Sequence, residues 1–248
     1  MRVVIARPQG ARLVLLLVAG ACWAVTVHRM QGMDMGPGTD LGSLGWFAVV
    51  WVTMMAAMML PSLSPMAAAY AYGRHRRAWA ILGAIVFAAG YLLAWAGFGL
   101  LAYGVFEGVK SLDLGFLTWH RAGQYIAGGV VLMAALYELT PVKANCLRHC
   151  RDARLLRHRP GPAGALVAGL EQGGFCVGCS GAMMLALLAL GVMSVAWMVL
   201  IAVLVTIEKL LPWQAVPTGA SAVVLALLGA GIVLAPEHVP WLTIPMHA

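Results

Sequence analysis

Charge is the scarcest ingredient of this sequence. Only 10% of its 248 residues are Asp, Glu, Lys or Arg and 62% are hydrophobic, whereas an average soluble domain carries ~25% charged residues. Water is therefore excluded as the main solvent of the folded chain. No GxxxxGK[ST] loop is present, so ATP-driven pumping by this chain alone is excluded. Nothing in the pattern suggests a β-barrel. Stacking aromatics do not accompany the basic residues, so the net charge of +7 points to anionic lipid and not to nucleic acid.

What is present is a series of long uncharged runs. A spanning helix needs ~20 apolar residues, and irregular backbone cannot face lipid. The runs therefore predict an all-α fold, a polytopic transmembrane bundle of about seven helices in a single domain, residues 1–248. The first is Leu13 to Val27, behind Arg2, Arg7 and Arg12. Ala19, Gly20 and Ala21 before Cys22 resemble a signal-peptide cleavage site, but a retained helix is the preferred reading. The second runs from Leu44 to Leu60 and is expected to stop at Pro61, with Ser62 to Ala71 continuing past Pro65. Trp79 to Tyr103 and Ala122 to Leu139 follow, then a basic segment from Lys143 to Arg159. The stretch from Pro162 to Pro212 is too long for one span and divides at Gly191 to Ser194. Ala220 to Ala235 is the last run, before a tail with His238 and His247.

Lys and Arg in short loops mark the cytoplasmic side. With the N-terminus inside, all 16 Lys and Arg residues fall on that side except Arg29, Lys110 and Arg121.

Soft ligand atoms are gathered within this frame. Met54, Met55, Met58 and Met59, followed by Met66 beyond the two prolines, form the run MMAAMMLPSLSPM. Residues three and four apart share a helix face, so these thioethers can converge. A thioether is soft and neutral, suited to Cu(I) and cheap to bury, although methionine also fills gaps in apolar cores. Cys146 and Cys150 in CLRHC, and Cys176 and Cys179 in CVGC, are spaced to chelate from one helix face each. Arg148, His149 and the surrounding cations favour thiolate. Metal binding, redox chemistry and a structural role all remain open for these pairs, with metal binding favoured; together the two pairs match a four-thiolate zinc site in number. The charge pattern places both pairs and the methionine run at the cytoplasmic end of the bundle, near Glu208 and Lys209, which are expected to pair with each other. A glycine-rich outer loop with His28, Met30, Met33, Asp34 and Met35 is a weaker capture site. Cys22, His120, Glu138 and Glu171 stand alone and read as structural, with Glu171 close enough to CVGC to stay a candidate.

The separated pieces MMAAMMLPSLSPM, YELTPVKANCLRHC, GGFCVGCSGAMMLALLALGVMSVAWM and IEKLLP, in that order, resemble a bacterial family of predicted metal-binding integral membrane proteins. Some of its members are described as copper chaperones. The likeness covers roughly residues 54–212. The family pattern implies a further cysteine and an aromatic after the second pair, where this chain has Ser180 and Gly181, so a five-thiolate site is not expected.

Residues and resemblance together predict a multi-pass protein of the bacterial inner membrane that handles Cu(I), with zinc as the alternative metal. Its partners are the lipid bilayer, the metal ion and a protein metal donor or acceptor, and no catalytic step is needed. A membrane thiol oxidoreductase is the alternative from another class, and a zinc-stapled assembly subunit is a third. The orientation is directly testable: a membrane-impermeant thiol reagent added to intact cells should leave Cys146 and Cys150 unlabelled until the inner face is opened. Efficient labelling from outside would invert the topology.

Overall fold

The computed structural model describes residues 9–30, 43–71, 77–111, 123–153, 156, 159–190, 194–211 and 215–234. The outer-loop residues Met33, Asp34 and Met35, together with His120, His238 and His247, lie outside them. Among the described residues every regular element is a helix: α1 (Gln9–Met30), α2 (Leu44–Ala71), α3 (Arg77–Ser111), α4 (Gln124–Glu138), α5 (Pro141–Arg151), α6 (Gly161–Leu190), α7 (Val195–Leu210) and α8 (Ala215–Leu234).

The expected end of the second helix is corrected. The second helix does not stop at Pro61 but runs through both prolines to Ala71. Proline at 65 leaves the Pro61 carbonyl without its helical donor, and Ser64 Oγ donates to that carbonyl at 2.9 Å instead. Neighbouring side chains that satisfy the freed carbonyl are what allow proline inside an apolar helix. The basic segment after Leu139 opens with a helix, as the i,i+4 spacing of Cys146 and Cys150 assumed. Thr140 accepts from the Lys143 amide and Pro141 occupies the first turn, so the start of α5 has both an N-cap and the proline favoured there.

Among the described residues five helices are long and apolar enough to cross a membrane: the segments Gln9–Arg29, Leu44–Ala71, Ala80–Gly108, Gly161–Leu190 and Ala215–Leu234. Tyr125–Glu138 and Pro141–Arg151 qualify together as one span bent by 68°. Helix α7, expected to span, has only 16 residues, ~24 Å at 1.5 Å per residue, which is short of the ~30 Å hydrocarbon layer. Polarity is inverted relative to a soluble protein. Leu17, Leu101, Met133 and Leu227 face outward, while Glu138, Lys143, Gln172 and Glu208 are buried.

Among apolar helices the drive to associate comes from close packing, and small residues permit the closest approach. Helices α3 and α6 show this most fully. Gly169 and Gly173 share a face of α6, and a Cβ at Gly169 would overlap the Phe87 carbonyl, while one at Gly173 would come within 2.7 Å of the Tyr91 carbonyl. From the other side, a Cβ at Gly90 would overlap the Leu166 carbonyl. Helix α4 meets α8 in the same way at Gly128 and Gly229. Trp51 fills the next gap, between α2 and α3: its indole rests in the notch at Gly99 and donates to the Trp95 carbonyl at 2.9 Å.

The seam can be probed on one helix with an internal control. Gly169→Ala should destabilise the protein by about 1–3 kcal/mol, because neither backbone can yield. Gly174→Ala, which meets nothing within 4 Å, should be neutral or stabilising, since alanine is the better helix former. Thermal unfolding in detergent distinguishes the two, and equal effects would refute the close-approach account.

Candidate metal centre

Three cysteines converge inside the bundle. Cys176 and Cys179 are one turn apart on α6 and face the same way, and α5 brings Cys150 up to them in its last turn. The three sulfurs lie within 4.8 Å of one another and all three residues are buried. Cys150 Sγ is 3.6 Å from Cys179 Sγ. Three thiolates around one ion at the ~2.3 Å typical of a thiolate–metal bond would stand ~4.0 Å apart. The trio therefore accepts a metal ion with little rearrangement.

Cys146 is not among them. It is half-buried on α5, where its sulfur packs into the notch at Gly178: a Cβ there would come within 2.7 Å of it. Tyr137 anchors the same notch by donating to the Gly178 carbonyl at 2.6 Å. The expected four-sulfur set is thus a three-sulfur set, because Cys146 lies one turn of α5 before Cys150 and meets a different part of α6. His149 stays outside as well. Its ring stacks on Phe175 at 4.4 Å, and Nδ1 pairs with the Asn145 carbonyl at 3.0 Å.

The centre sits deeper than the loops suggested. Cys176 stands about midway along α6 and Met59 about midway along α2, not at the ends of those helices. Met54, Met55, Met58 and Met59 are completely enclosed, at 0–1% exposure, and Met66 is buried below them. Met183, Met184 and Met198 share this core. They belong to the motif pieces read in the sequence, but their spacing alone does not separate them from ordinary packing.

Polar groups finish the site. Tyr91, carried to α6 by the glycine seam, has its hydroxyl 2.8 Å from Cys176 Sγ. Lys209 donates to the same sulfur at 2.9 Å and to Ser62 Oγ at 3.3 Å, and lies 3.7 Å from Met59 Sδ. Cys179 Sγ lies 3.3 Å from both the Cys176 carbonyl and Ser180 Oγ. An ammonium and a hydroxyl directed at one sulfur supply the charge and hydrogen bonding that a deprotonated thiol needs in an apolar interior.

Glu208 and Lys209 do not pair with each other. Consecutive residues on a helix point ~100° apart, and Glu208 turns to Lys143 at 2.8 Å, which also contacts Glu138. The three form a buried charged triad joining α4, α5 and α7. Glu138, read as an isolated structural residue, is one of its two carboxylates. Nearer the surface, Arg159 pairs with Glu171 at 2.5 Å and Arg151 donates to the Leu211 carbonyl.

A soft, enclosed sulfur centre in a helical bundle of apolar exterior defines a metal-handling helical protein. A family model described as a copper chaperone, PpoB2, matches residues 48–232. The chain therefore belongs to this copper chaperone family, and the match reaches beyond the expected core at both ends. No curated protein and no solved structure matches the chain.

The triad makes a sharp stability prediction. Lys143→Met removes the cation shared by two buried carboxylates and should cost about 3–5 kcal/mol, as breaking a buried pair does. Thermal unfolding of the variant in detergent checks this. A loss under about 1 kcal/mol would mean that the carboxylates do not depend on Lys143.

Proposed function

We propose that this protein is a membrane-embedded Cu(I) chaperone of the bacterial inner membrane, with its N-terminus in the cytoplasm. It takes the ion through the thioethers of α2 and holds it at Cys150, Cys176 and Cys179 for transfer to a protein acceptor. The observation that carries this reading is the closed three-sulfur set, 4.8 Å across at most, in a chain whose family is that of copper chaperones.

Ligand chemistry favours copper over zinc. Thiolate and thioether donors suit Cu(I), whereas a structural zinc site takes four ligands in a tetrahedron. Here Cys146 is turned away toward Gly178 and His149 toward Phe175. Met59 is the neighbouring sulfur, and it adjoins Cys176 through the Lys209 ammonium. The enclosed methionines above it give a neutral route along which a monovalent soft ion is stabilised without stranding a charge in hydrocarbon.

Binding and transfer require no chemical step, so we assign no enzymatic activity. Thiol exchange needs an attacking thiolate that a substrate disulfide can reach, and the trio is enclosed, with Cys176 and Cys179 each 1% exposed. That burial supports a carrier over an oxidoreductase.

Copper competition on the purified protein tests the assignment. Replacing Cys150, Cys176 and Cys179 together with Ser should abolish stoichiometric Cu(I) binding against a Cu(I)-selective chelator. Cys176→Ser alone should weaken it by more than the ~10–100-fold that loss of an outer-sphere partner costs. Cys146→Ser should leave affinity within a few fold. Unchanged binding by the triple variant would remove the trio from the function, and tighter binding of zinc than of copper would replace the cargo.

A further inference from the structure

Lys209, half-buried at the end of α7, is held in an unusual arrangement. Its neighbour Glu208 is committed to Lys143, and among the described residues no carboxylate forms an ion pair with Lys209. The ammonium lies instead against two sulfurs that a soft cation would use, Cys176 Sγ at 2.9 Å and Met59 Sδ at 3.7 Å, and donates to Ser62 Oγ at 3.3 Å. Helix α7 ends there. Lys209 stands in its last turn, where a cation is also favoured by the helix dipole. The residue is thus a positive charge on a flexible four-carbon tether, fixed at the junction between the thiols of α5 and α6 and the thioether of α2.

We propose that Lys209 is a tethered cation that holds the place of the cargo and is exchanged for Cu(I), one positive charge for another, when the ion arrives or departs. The inference rests on the copper reading above. In the exchange the hydrogen bonds from Nζ to Cys176 Sγ and Ser62 Oγ break and a Cu–S bond to Cys176 forms, with the sulfur a thiolate before and after. Copper remains Cu(I), and no electron moves. The ammonium swings away with its proton and returns as the ion leaves, so the thiolate is never left bare in an apolar interior. A metal bond to Cys176 at ~2.3 Å and an ammonium at 2.9 Å would otherwise place two like charges on one sulfur. Lys209 is a positioning residue in this scheme, and it favours release: a site for a carrier must surrender its ion, and an internal competitor lowers the barrier to doing so.

The alternative role, in which Lys209 only sustains the thiolate, predicts the opposite sign. Removing the ammonium would then weaken Cu(I) binding. The test uses the full chain in detergent with Lys209→Leu, which is neutral and brings no ligand atom, and Lys209→Arg, which keeps the charge. Cu(I) loss to a Cu(I)-selective chelator should slow at least about tenfold in the Leu variant, with affinity equal or greater, and stay near the parent rate in the Arg variant. Unchanged or faster release from the Leu variant, or weaker binding, overturns the inference alone. Failure of the parent to bind Cu(I) overturns the functional reading and the inference with it. A second measurement needs no variant: amine acylation of the parent, read by mass spectrometry at Lys209, should rise severalfold when Cu(I) is loaded. Equal labelling with and without copper refutes displacement.

Discussion

The backbone contact between α3 and α6 is the constraint on which the rest of the structure depends. Without side chains at Gly90, Gly169 and Gly173, two carbonyl-bearing surfaces approach as closely as helices can. That distance sets the position of Tyr91, and Tyr91 reaches Cys176 because its own helix turn lies against Gly173. Apolar side chains of ordinary size along this seam would hold the helices apart and leave the sulfur without its hydroxyl. The packing rule that joins the helices is therefore also the rule that equips the site.

A second consequence of close packing is that the carboxylates enclosed in the bundle are held by a charged partner. Helix α7 shows how economical the arrangement is. With 16 residues it is short for a span, and it ends beside the centre with two ionisable residues in succession. Glu208 completes the triad with Lys143 and Glu138, while Lys209 turns to the sulfurs. One helix end thus serves both the charged joint that ties α4, α5 and α7 together and the electrostatics of the metal centre. The two sets of charges stay separate because adjacent helical residues diverge.

The sulfur cluster lies midway along α2 and α6 and so has an apolar surrounding. Hard, strongly hydrated ions lose more than they gain among sulfur donors, whereas Cu(I) is suited to thiolate and thioether alike. The enclosed methionines and the enclosed thiols differ mainly in charge.

The sequence by itself determined the all-helical class with apolar helices of membrane-spanning length, the grouping of thioethers on α2 and the pairing of Cys176 with Cys179, because each follows from run length or from spacing within one helix. The helical spacing of Cys146 and Cys150 was also legible. Continuation through Pro61 and Pro65 was not, since it depends on Ser64 reaching a carbonyl that a residue count treats as lost. Only the tertiary structure decided that Cys150 joins Cys176 and Cys179 while Cys146 meets Gly178, that Glu138, Lys143 and Glu208 share one site, and that Lys209 faces sulfur. Those outcomes depend on which faces of different helices meet, and the faces are chosen by glycine notches whose partners lie far away in the chain, a relation that local periodicity does not carry.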